Sequence, residues 1–272
     1  MNFIHQTYYL LKPLIPRAFQ LFLRRLRIFF KKKKYEAVWP INECAGNPPD
    51  GWQGWPENKK FALVLTHDVD TSCGQDKSIG LMNLEKHLGF KSTFFFVPED
   101  YVVSYETMQE LKNNGFEVGI HGLTHDGKLY QSKKIFNKKA AKINRYMETW
   151  QVSGFRSPCM QHNLEWISEL NIAYDASTYD IDPFEPQGGG MSTIFPFVVK
   201  NKFSGKSYIE LPYTLPQDFL LFILLKEKTI DIWKRKLDWI VQKGGMALLI
   251  THPDYMVFNN KSTAAETYPA EL

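Results

Sequence analysis

The feature that most constrains the fold is a regular alternation of short apolar runs with helix-like patterns, which begins at residue 61. The runs are four to six residues long and rich in Val, Ile, Leu and Phe, as buried strands are; they cover 61–66, 92–97, 116–120, 172–175, 207–211 and 246–251. Helical patterns lie between them, near 80–89, 103–114, 131–150, 162–170 and 228–243, and Gly115 and Gly244 stand at expected helix C-caps. This alternation predicts an α/β fold with a parallel sheet, either open or closed into a barrel.

The composition is that of an ordinary globular protein with one sizeable domain. The chain has 272 residues, of which 44% are hydrophobic and 23% are charged. The three cysteines, Cys44, Cys73 and Cys159, are odd in number and have no metal-site spacing. They are therefore expected to be reduced thiols in a cytoplasmic setting rather than a disulfide framework.

Residues 1–34 differ in charge from the rest of the chain. They contain nine basic residues and no acidic one, whereas the remainder has 24 basic and 29 acidic residues, a net charge of −5. A mildly acidic body argues against nucleic-acid binding. The leader has neither the uncharged run of ~18–20 residues that spans a bilayer nor a secretory pattern. It predicts a basic amphipathic helix after Pro16, which either contacts an anionic membrane or packs on the body or on a partner.

Residues 35–60 are rich in Pro, Gly, Asn and Trp and predict a linker or wrapping arm with turns. Trp39, Trp52 and Trp55 are expected to pin this arm to the body, although a stacking platform for a sugar is an alternative. The predicted organisation is therefore a leader at 1–34, the arm at 35–60 and a catalytic domain at 61–272. The chain ends in a polar stretch without a closing helical pattern, which leaves the completeness of the domain open.

Two motifs at predicted strand ends have the composition of a metal site. Asp68 and Asp70 follow the first run, and His121 and His125 follow the third. In parallel α/β folds the chemistry lies at the carboxyl ends of the strands, and histidines at i and i+4 share one face of a helical turn. Two histidines and one aspartate form the three-ligand site with open positions that catalytic zinc requires. The alternatives are aspartates that satisfy a turn and two structural histidines.

Four further residues stand at or just after predicted strands and are weaker candidates singly. Arg156 precedes a proline and Cys159 follows it, Asp175 ends the strand at 172–175, and His252 follows the last strand. Each also has an ordinary structural explanation, as a surface arginine, a helix-capping aspartate or a buried structural histidine.

Taken in order, these motifs resemble those of the NodB-homology polysaccharide deacetylases, carbohydrate esterase family four. The resemblance extends from about residue 61 to residue 254 and includes 93–96, which is similar to the family's ATFF strand, and 210–212. It implies an irregular (β/α) barrel. It also implies hydrolysis of N-acetyl or O-acetyl groups on sugars with a divalent metal, usually Zn²⁺.

The resemblance also implies roles for single residues. It makes Asp68 the catalytic base and gives the metal the ligands Asp70, His121 and His125. Asp68-Val69-Asp70 departs from the family's usual first motif, in which the two aspartates are adjacent.

For the remaining candidates, the resemblance implies that Arg156 orients the base, that His252 is the catalytic histidine and that Asp175 tunes it. Cys159 stands where the family usually has a tyrosine whose backbone N–H serves the oxyanion. The change retains a backbone donor and alters the wall of the pocket.

The absence of an export pattern predicts a cytoplasmic protein, peripheral at the inner face of the membrane. The substrate expected there is a lipid-linked or nucleotide-linked acetamido sugar, used in building a surface glycan. The alternatives are an amide hydrolase with a non-sugar substrate and a non-catalytic, membrane-attached scaffold. A glycoside hydrolase with a carboxylate pair is less economical, because it leaves the two histidines unexplained.

Overall fold

The structure is a computed structural model that describes residues 15–202 and 204–258. The first 14 residues of the predicted leader and the polar stretch after residue 258 lie outside the described residues.

The body is built on an eight-stranded sheet that curls into a half-barrel. Its strands are β1 (Ala62–Val69), β2 (Ser92–Phe96), β3 (Glu117–His121), β4 (Gly154–Arg156), β5 (Tyr174–Asp175), β6 (Phe197–Lys200), β7 (Ser207–Glu210) and β8 (Met246–Thr251). The order across the sheet is β6-β7-β5-β4-β3-β2-β1-β8, and every neighbouring pair is parallel except β6 with β7. The predicted parallel α/β architecture of the barrel type is confirmed.

The leader helix α1 (Arg17–Tyr35) precedes the sheet. The other α-helices of the described residues lie between the strands, as the alternation predicted: α2 (Ser72–His87), α3 (Tyr105–Asn113), α4 (Lys133–Trp150), α5 (Leu164–Ile167) and α6 (Asp231–Lys243), with a π-helix at Phe219–Leu224. Helix α2 starts well before the predicted position near residue 80. Thr71 caps its amino end, and its first turns are too polar to show a helical apolar period.

The segment after β7 narrows the gap between the two edges of the sheet. The backbone N–H of Tyr213 donates to the carbonyl of Thr178 (2.9 Å), and that of Leu215 donates to the carbonyl of Leu248 in β8 (3.0 Å). The segment thus runs from the carboxyl end of β5 towards β8. It brings the residues that follow it to the same end of the sheet as the residues after β1, β3 and β8.

Apolar packing on the sheet fixes this frame. One cluster joins β3 and β4 to α4 and another joins β2 to α2 and α3. Phe94, Phe96, Phe136 and Phe155 have no exposed surface. Full burial of such a side chain stabilises the fold by about 1.5–3 kcal/mol.

The leader helix and the arm both contact the body. Helix α1 begins directly after Pro16, as predicted, and buries Leu21 and Ile28. Trp39 packs edge-on against Phe184, and Trp52 against Phe195. Within the described ranges, no helix combines the length and apolarity needed to cross a bilayer.

The Trp55 indole N–H donates to the carbonyl of Gly244 (2.8 Å), just before β8 begins. This contact lies at the amino ends of the strands, opposite the candidate site. It therefore holds the arm in place and does not offer a sugar platform at that site.

Candidate metal and catalytic site

Alternation along β1 determines which of its polar side chains enter the barrel interior. Successive strand residues point to opposite faces, and Thr66 and Asp68 both lie against Arg156. His67 points the other way, where Nδ1 is 2.8 Å from the Thr251 hydroxyl and Nε2 is 3.0 Å from Glu85. Because both ring nitrogens have partners on that side, His67 is a structural residue.

Asp70, His121 and His125 converge at the carboxyl ends of β1 and β3. Asp70 Oδ1 lies 3.5 Å from Nε2 of His121 and 3.7 Å from Nε2 of His125. One ligand atom from each of the three lies within 4.8 Å of the others. The spacing of the two motifs therefore brings the predicted ligand set together.

The chemistry of these three side chains fits a divalent cation. Asp70 Oδ1 is buried and has no hydrogen-bond partner among the described residues, although it faces both histidines. Burial raises the pKa of Asp70 to about 6, so a cation beside it would offset the cost of burying its charge. Burial also lowers the pKa of His121, which favours the neutral, ligating form of the imidazole.

Surrounding residues orient the ligands. Nδ1 of His121 lies 3.2 Å from the carbonyl oxygen of Arg156, its register partner in β4. An Nδ1–H bond to that carbonyl leaves the Nε2 lone pair directed at Asp70. The backbone N–H of Asp70 donates to Asp254 Oδ2 (3.1 Å), and Asp254 follows β8. Gly74 permits this approach, because a Cβ there would lie 2.2 Å from the Asp254 carboxylate.

Asp68 and Arg156 form a buried ion pair beside the candidate metal ligands. Arg156 Nη1 donates to Asp68 Oδ1 (2.7 Å) and to the Thr66 hydroxyl (3.0 Å), and Nε donates to the carbonyl of Ala176 (2.9 Å). The other oxygen of Asp68 lies 3.7 Å from Nε2 of His121. Burial acts to raise the pKa of Asp68, but the charges of Arg156, His121 and His252 outweigh it and lower the pKa to about 2.

His252 is held by Asp218 and not by Asp175. Asp218 Oδ1 lies 2.7 Å from His252 Nδ1, and Oδ2 accepts the backbone N–H of His252 at 2.7 Å. Burial alone would lower the pKa of His252, but the Asp218 carboxylate, helped by Asp70 and Asp68, raises it to about 10. The imidazole is thus positively charged at neutral pH.

Asp175 lies deeper in the barrel, and this corrects the pairing with His252 that the resemblance implied. Its Oδ1 accepts the Ser177 hydroxyl (2.5 Å), and its neighbour across the strands is Glu210 of β7. Burial, together with the adjacent charge of Asp175, raises the pKa of Glu210. Asp175 therefore belongs to a buried carboxyl pair that interacts with the charge of Arg156.

Cys159 lies in the tight turn Pro158–Met160, which follows β4 after Ser157, at the same edge of the sheet as the candidate metal ligands. Its backbone is left-handed, with φ of 58°, which is uncommon and costly for a residue other than glycine. Its thiol is half-buried and forms no disulfide.

Sequence reasoning missed Asp218, Asp254 and Tyr255 at this site. Asp218 comes 34 residues before His252, in a segment with neither strand nor helix periodicity. The pair Pro216-Gln217 before it gives only a turn pattern. The centres of the Tyr255 ring and the His252 imidazole lie 5.1 Å apart, and the position of Tyr255 just after the last strand is the signal that could have found it.

Comparison with known proteins agrees with this geometry. Residues 56–171 match the family model described as polysaccharide deacetylase. This segment contains β1 to β4, the three candidate metal-site residues, Asp68, Arg156 and Cys159. A comparison with curated protein sequences gives no significant match.

Solved structures with the same fold include three that cover 76% of this chain and are covered over 82% of their own length. One is assigned as a polysaccharide deacetylase from Mycobacterium smegmatis (TM-score 0.60, 17% identity). Another, from Pseudomonas aeruginosa PAO1, has the same assignment (TM-score 0.58, 16% identity). The third is the Puue allantoinase (TM-score 0.57, 16% identity). At these identities the likeness concerns the fold.

Proposed function

Because residues 56–171 match the polysaccharide deacetylase family model, we propose that the chain is a metal-dependent hydrolase that removes the acetyl group from an N-acetylated sugar or glycan precursor. The observation that carries this proposal is the meeting of Asp70, His121 and His125 beside the buried pair of Asp68 and Arg156. A cation site next to an ionised carboxylate is the arrangement that hydrolytic chemistry on an amide requires.

Asp70, His121 and His125 would hold the divalent ion, for which zinc is our proposal because two imidazoles and one carboxylate suit it. When bound, the ion supplies Lewis acidity, which lowers the pKa of a water molecule towards ~7 and polarises the acetyl carbonyl.

Asp68 is proposed as the general base, which takes a proton from the attacking water. Its bond to Arg156 fixes the carboxylate and leaves the second oxygen on the side of His121. A carboxylate with a pKa of about 2 is a weak base, so it accepts a proton only from strongly acidified water. The proposed base Asp68 therefore depends on the cation that Asp70, His121 and His125 would hold.

His252 is proposed as the general acid, which donates a proton to the leaving amine. The Asp218 carboxylate keeps the imidazole protonated and fixes its orientation through Nδ1. In this role Asp218 takes the place that the resemblance assigned to Asp175. We propose that Asp175 instead interacts with the charge of Arg156 inside the barrel and so helps to hold the arginine in place.

The Cys159 backbone N–H is proposed to stabilise the oxyanion of the tetrahedral intermediate. Its turn follows β4 after Ser157 and lies at the carboxyl edge of the sheet. Because the backbone of Cys159 is left-handed, its N–H points in a different direction from the N–H groups of a regular strand. One donor of this kind contributes about 10²–10³-fold to turnover.

The experiment that tests the proposed function is a substrate panel. Zinc-loaded protein is incubated with N-acetylglucosamine oligomers, nucleotide-linked N-acetyl sugars and non-sugar amides including allantoin, and acetate or amine release is measured. We expect release of acetate from sugar substrates only. Hydrolysis confined to the non-sugar amides would replace the sugar deacetylase with the alternative amide hydrolase.

A further inference from the structure

We infer that α1 is an interfacial helix that binds an anionic lipid surface and so places the opening of the candidate site beside that surface. The substrate there is an acetylated sugar on a lipid carrier. The lipid-binding part of the inference stands on α1 alone. The substrate part rests on the proposed deacetylase function.

The outward face of α1 is apolar. Six large side chains point away from the body with exposed fractions between 39% and 74%: Phe19, Phe22, Leu23, Leu26, Phe29 and Phe30. At 3.6 residues per turn, these six positions fall within about 120° of one another around the helix axis. So many exposed apolar side chains on one side form a continuous face, which monomeric soluble proteins rarely present to water.

Cations border this apolar face on both sides. On the same helical projection, Arg25 and Lys32 lie along one edge and Arg27 and Lys34 along the other, while Lys33 falls within the apolar sector at the carboxyl end of the helix. The helix contains no acidic residue. An apolar face between two rows of cations is the pattern of a helix that lies in the plane of a membrane surface.

The inward face of α1 is already attached to the body. Leu21 and Ile28 are buried against the π-helix Phe219–Leu224. Arg25 donates to the carbonyl of Ile223 (2.8 Å), and Lys31 donates to that of Pro183 (2.8 Å). These contacts on the inward face attach α1 to the body. Within the described residues, the outward apolar face takes no part in that attachment.

A short series of contacts links α1 to the candidate acid. The Arg24 guanidinium lies 4.7 Å from the centre of the Phe219 ring. The Phe219 and Tyr255 rings lie 5.8 Å apart, and those of Tyr255 and His252 lie 5.1 Å apart. A lipid surface on the far side of α1 would therefore run beside the site, close to a sugar held at the surface by a lipid anchor.

Charge selects an anionic bilayer over a protein as the occupant of this face. Lys31, Lys32, Lys33 and Lys34 form an unbroken cationic run at the end of the helix. Protein interfaces are depleted of lysine in their cores, whereas anionic head groups attract such a run at close range. A second copy of the chain would bring the same cations together and be repelled.

The lipid part is tested by flotation of the full chain with vesicles of phosphatidylcholine alone or with 30% phosphatidylglycerol. We expect binding to the anionic vesicles that falls at least tenfold in 0.5 M salt and in the variant Phe29→Ser/Phe30→Ser. The matched control is Leu88→Ser/Val102→Ser, which alters two side chains of 59% and 89% exposure elsewhere on the body and should bind like the wild type. No flotation of the wild type, equal loss in the control, or a stable dimer that the Phe29→Ser/Phe30→Ser change dissolves would overturn the inference.

The substrate part is tested with one sugar in two forms, the hexadecyl glycoside of N-acetylglucosamine in anionic vesicles and its soluble methyl glycoside. We expect Phe29→Ser/Phe30→Ser to lower acetate release from the vesicle-borne form at least tenfold and to leave release from the soluble form unchanged. Equal rates on both forms in wild type and variant would refute the lipid-carrier substrate while the deacetylase stands. No release from either form would count against the proposed function, and flotation would still decide the lipid contact.

Discussion

The Asp218 carboxylate contacts His252 at two points: Oδ1 lies 2.7 Å from Nδ1 of the imidazole, and Oδ2 lies 2.7 Å from the backbone nitrogen. This double contact fixes both the rotamer and the charge of the histidine. It accounts for a pKa of His252 near 10 in a buried position that would otherwise lower it.

The change Asp218→Asn should therefore move the alkaline limb of the pH–rate profile to lower pH. His252 acts in its protonated form, so activity in the wild type persists until pH rises through about 10. Without the carboxylate, burial dominates and lowers the pKa, so turnover at pH 8 falls and recovers as pH is lowered. The measurement is kcat/KM against pH with saturating zinc.

Asp175→Asn is the control for this experiment, because Asp175 contacts Ser177 and neighbours Glu210, with no contact to His252 among the described residues. Its alkaline limb should stay where the wild type has it, whatever the loss in rate. A shifted limb in Asp175→Asn with an unshifted one in Asp218→Asn would restore the original assignment.

His121→Ala should abolish stoichiometric zinc binding. Loss of a residue that only orients a ligand costs about 10–100-fold in metal affinity, so removal of a ligand should exceed about 100-fold. Metal content after dialysis measures this, with circular dichroism to show that the variant is folded. His87→Ala, at an exposed position in the last turn of α2, should keep one zinc per chain.

Cys159→Ala should leave turnover within about fivefold of the wild type, since the proposed donor is the backbone N–H and not the thiol. Steady-state rates on the best acetylated sugar check this. A loss of 10²-fold or more in a folded, zinc-loaded variant would mean that the sulfur takes part directly.

Lys236→Met should destabilise the fold by about 3–5 kcal/mol, because it leaves the buried Asp180 carboxylate without its partner. Lys236 Nζ lies 2.7 Å from Asp180 Oδ2, and both side chains are almost fully buried. Denaturant unfolding measures the change. Lys142→Met, which breaks an exposed pair with Glu99, should cost less than about 1 kcal/mol, and Asp180→Leu in the Lys236→Met background should recover much of the loss.

The sequence predicted the part of the site that follows long apolar strands. The strands β1 and β3 are marked by their composition, and the carboxyl ends of parallel strands in one sheet lie at the same edge, here with β2 between the two. Asp70 and His121 therefore meet in space as expected. The helix after Pro16 was equally predictable from its amphipathic pattern.

The rest depends on segments whose conformation is set by tertiary contacts. The edge strand β6 pairs antiparallel with β7 and alternates only weakly, and β4 has just three residues. Asp218 reaches His252 because the chain after β7 crosses towards β8, a path that no local pattern encodes. The resemblance chose Asp175 as the carboxylate partner of His252 from the order of motifs along the chain. In the structure the carboxylate that contacts His252 is Asp218.

The most direct test of the central claim measures zinc content and acetate release together, in the wild type and in Asp68→Asn, on the best acetylated sugar. The account predicts one zinc per chain in both proteins and a fall of about 10²–10⁴-fold in acetate release in the variant. Asp76→Asn, an exposed aspartate of α2, should match the wild type in both. Equal acetate release by Asp68→Asn, or tight zinc binding without release from any acetylated substrate by the wild type, would contradict the account and favour the non-catalytic scaffold.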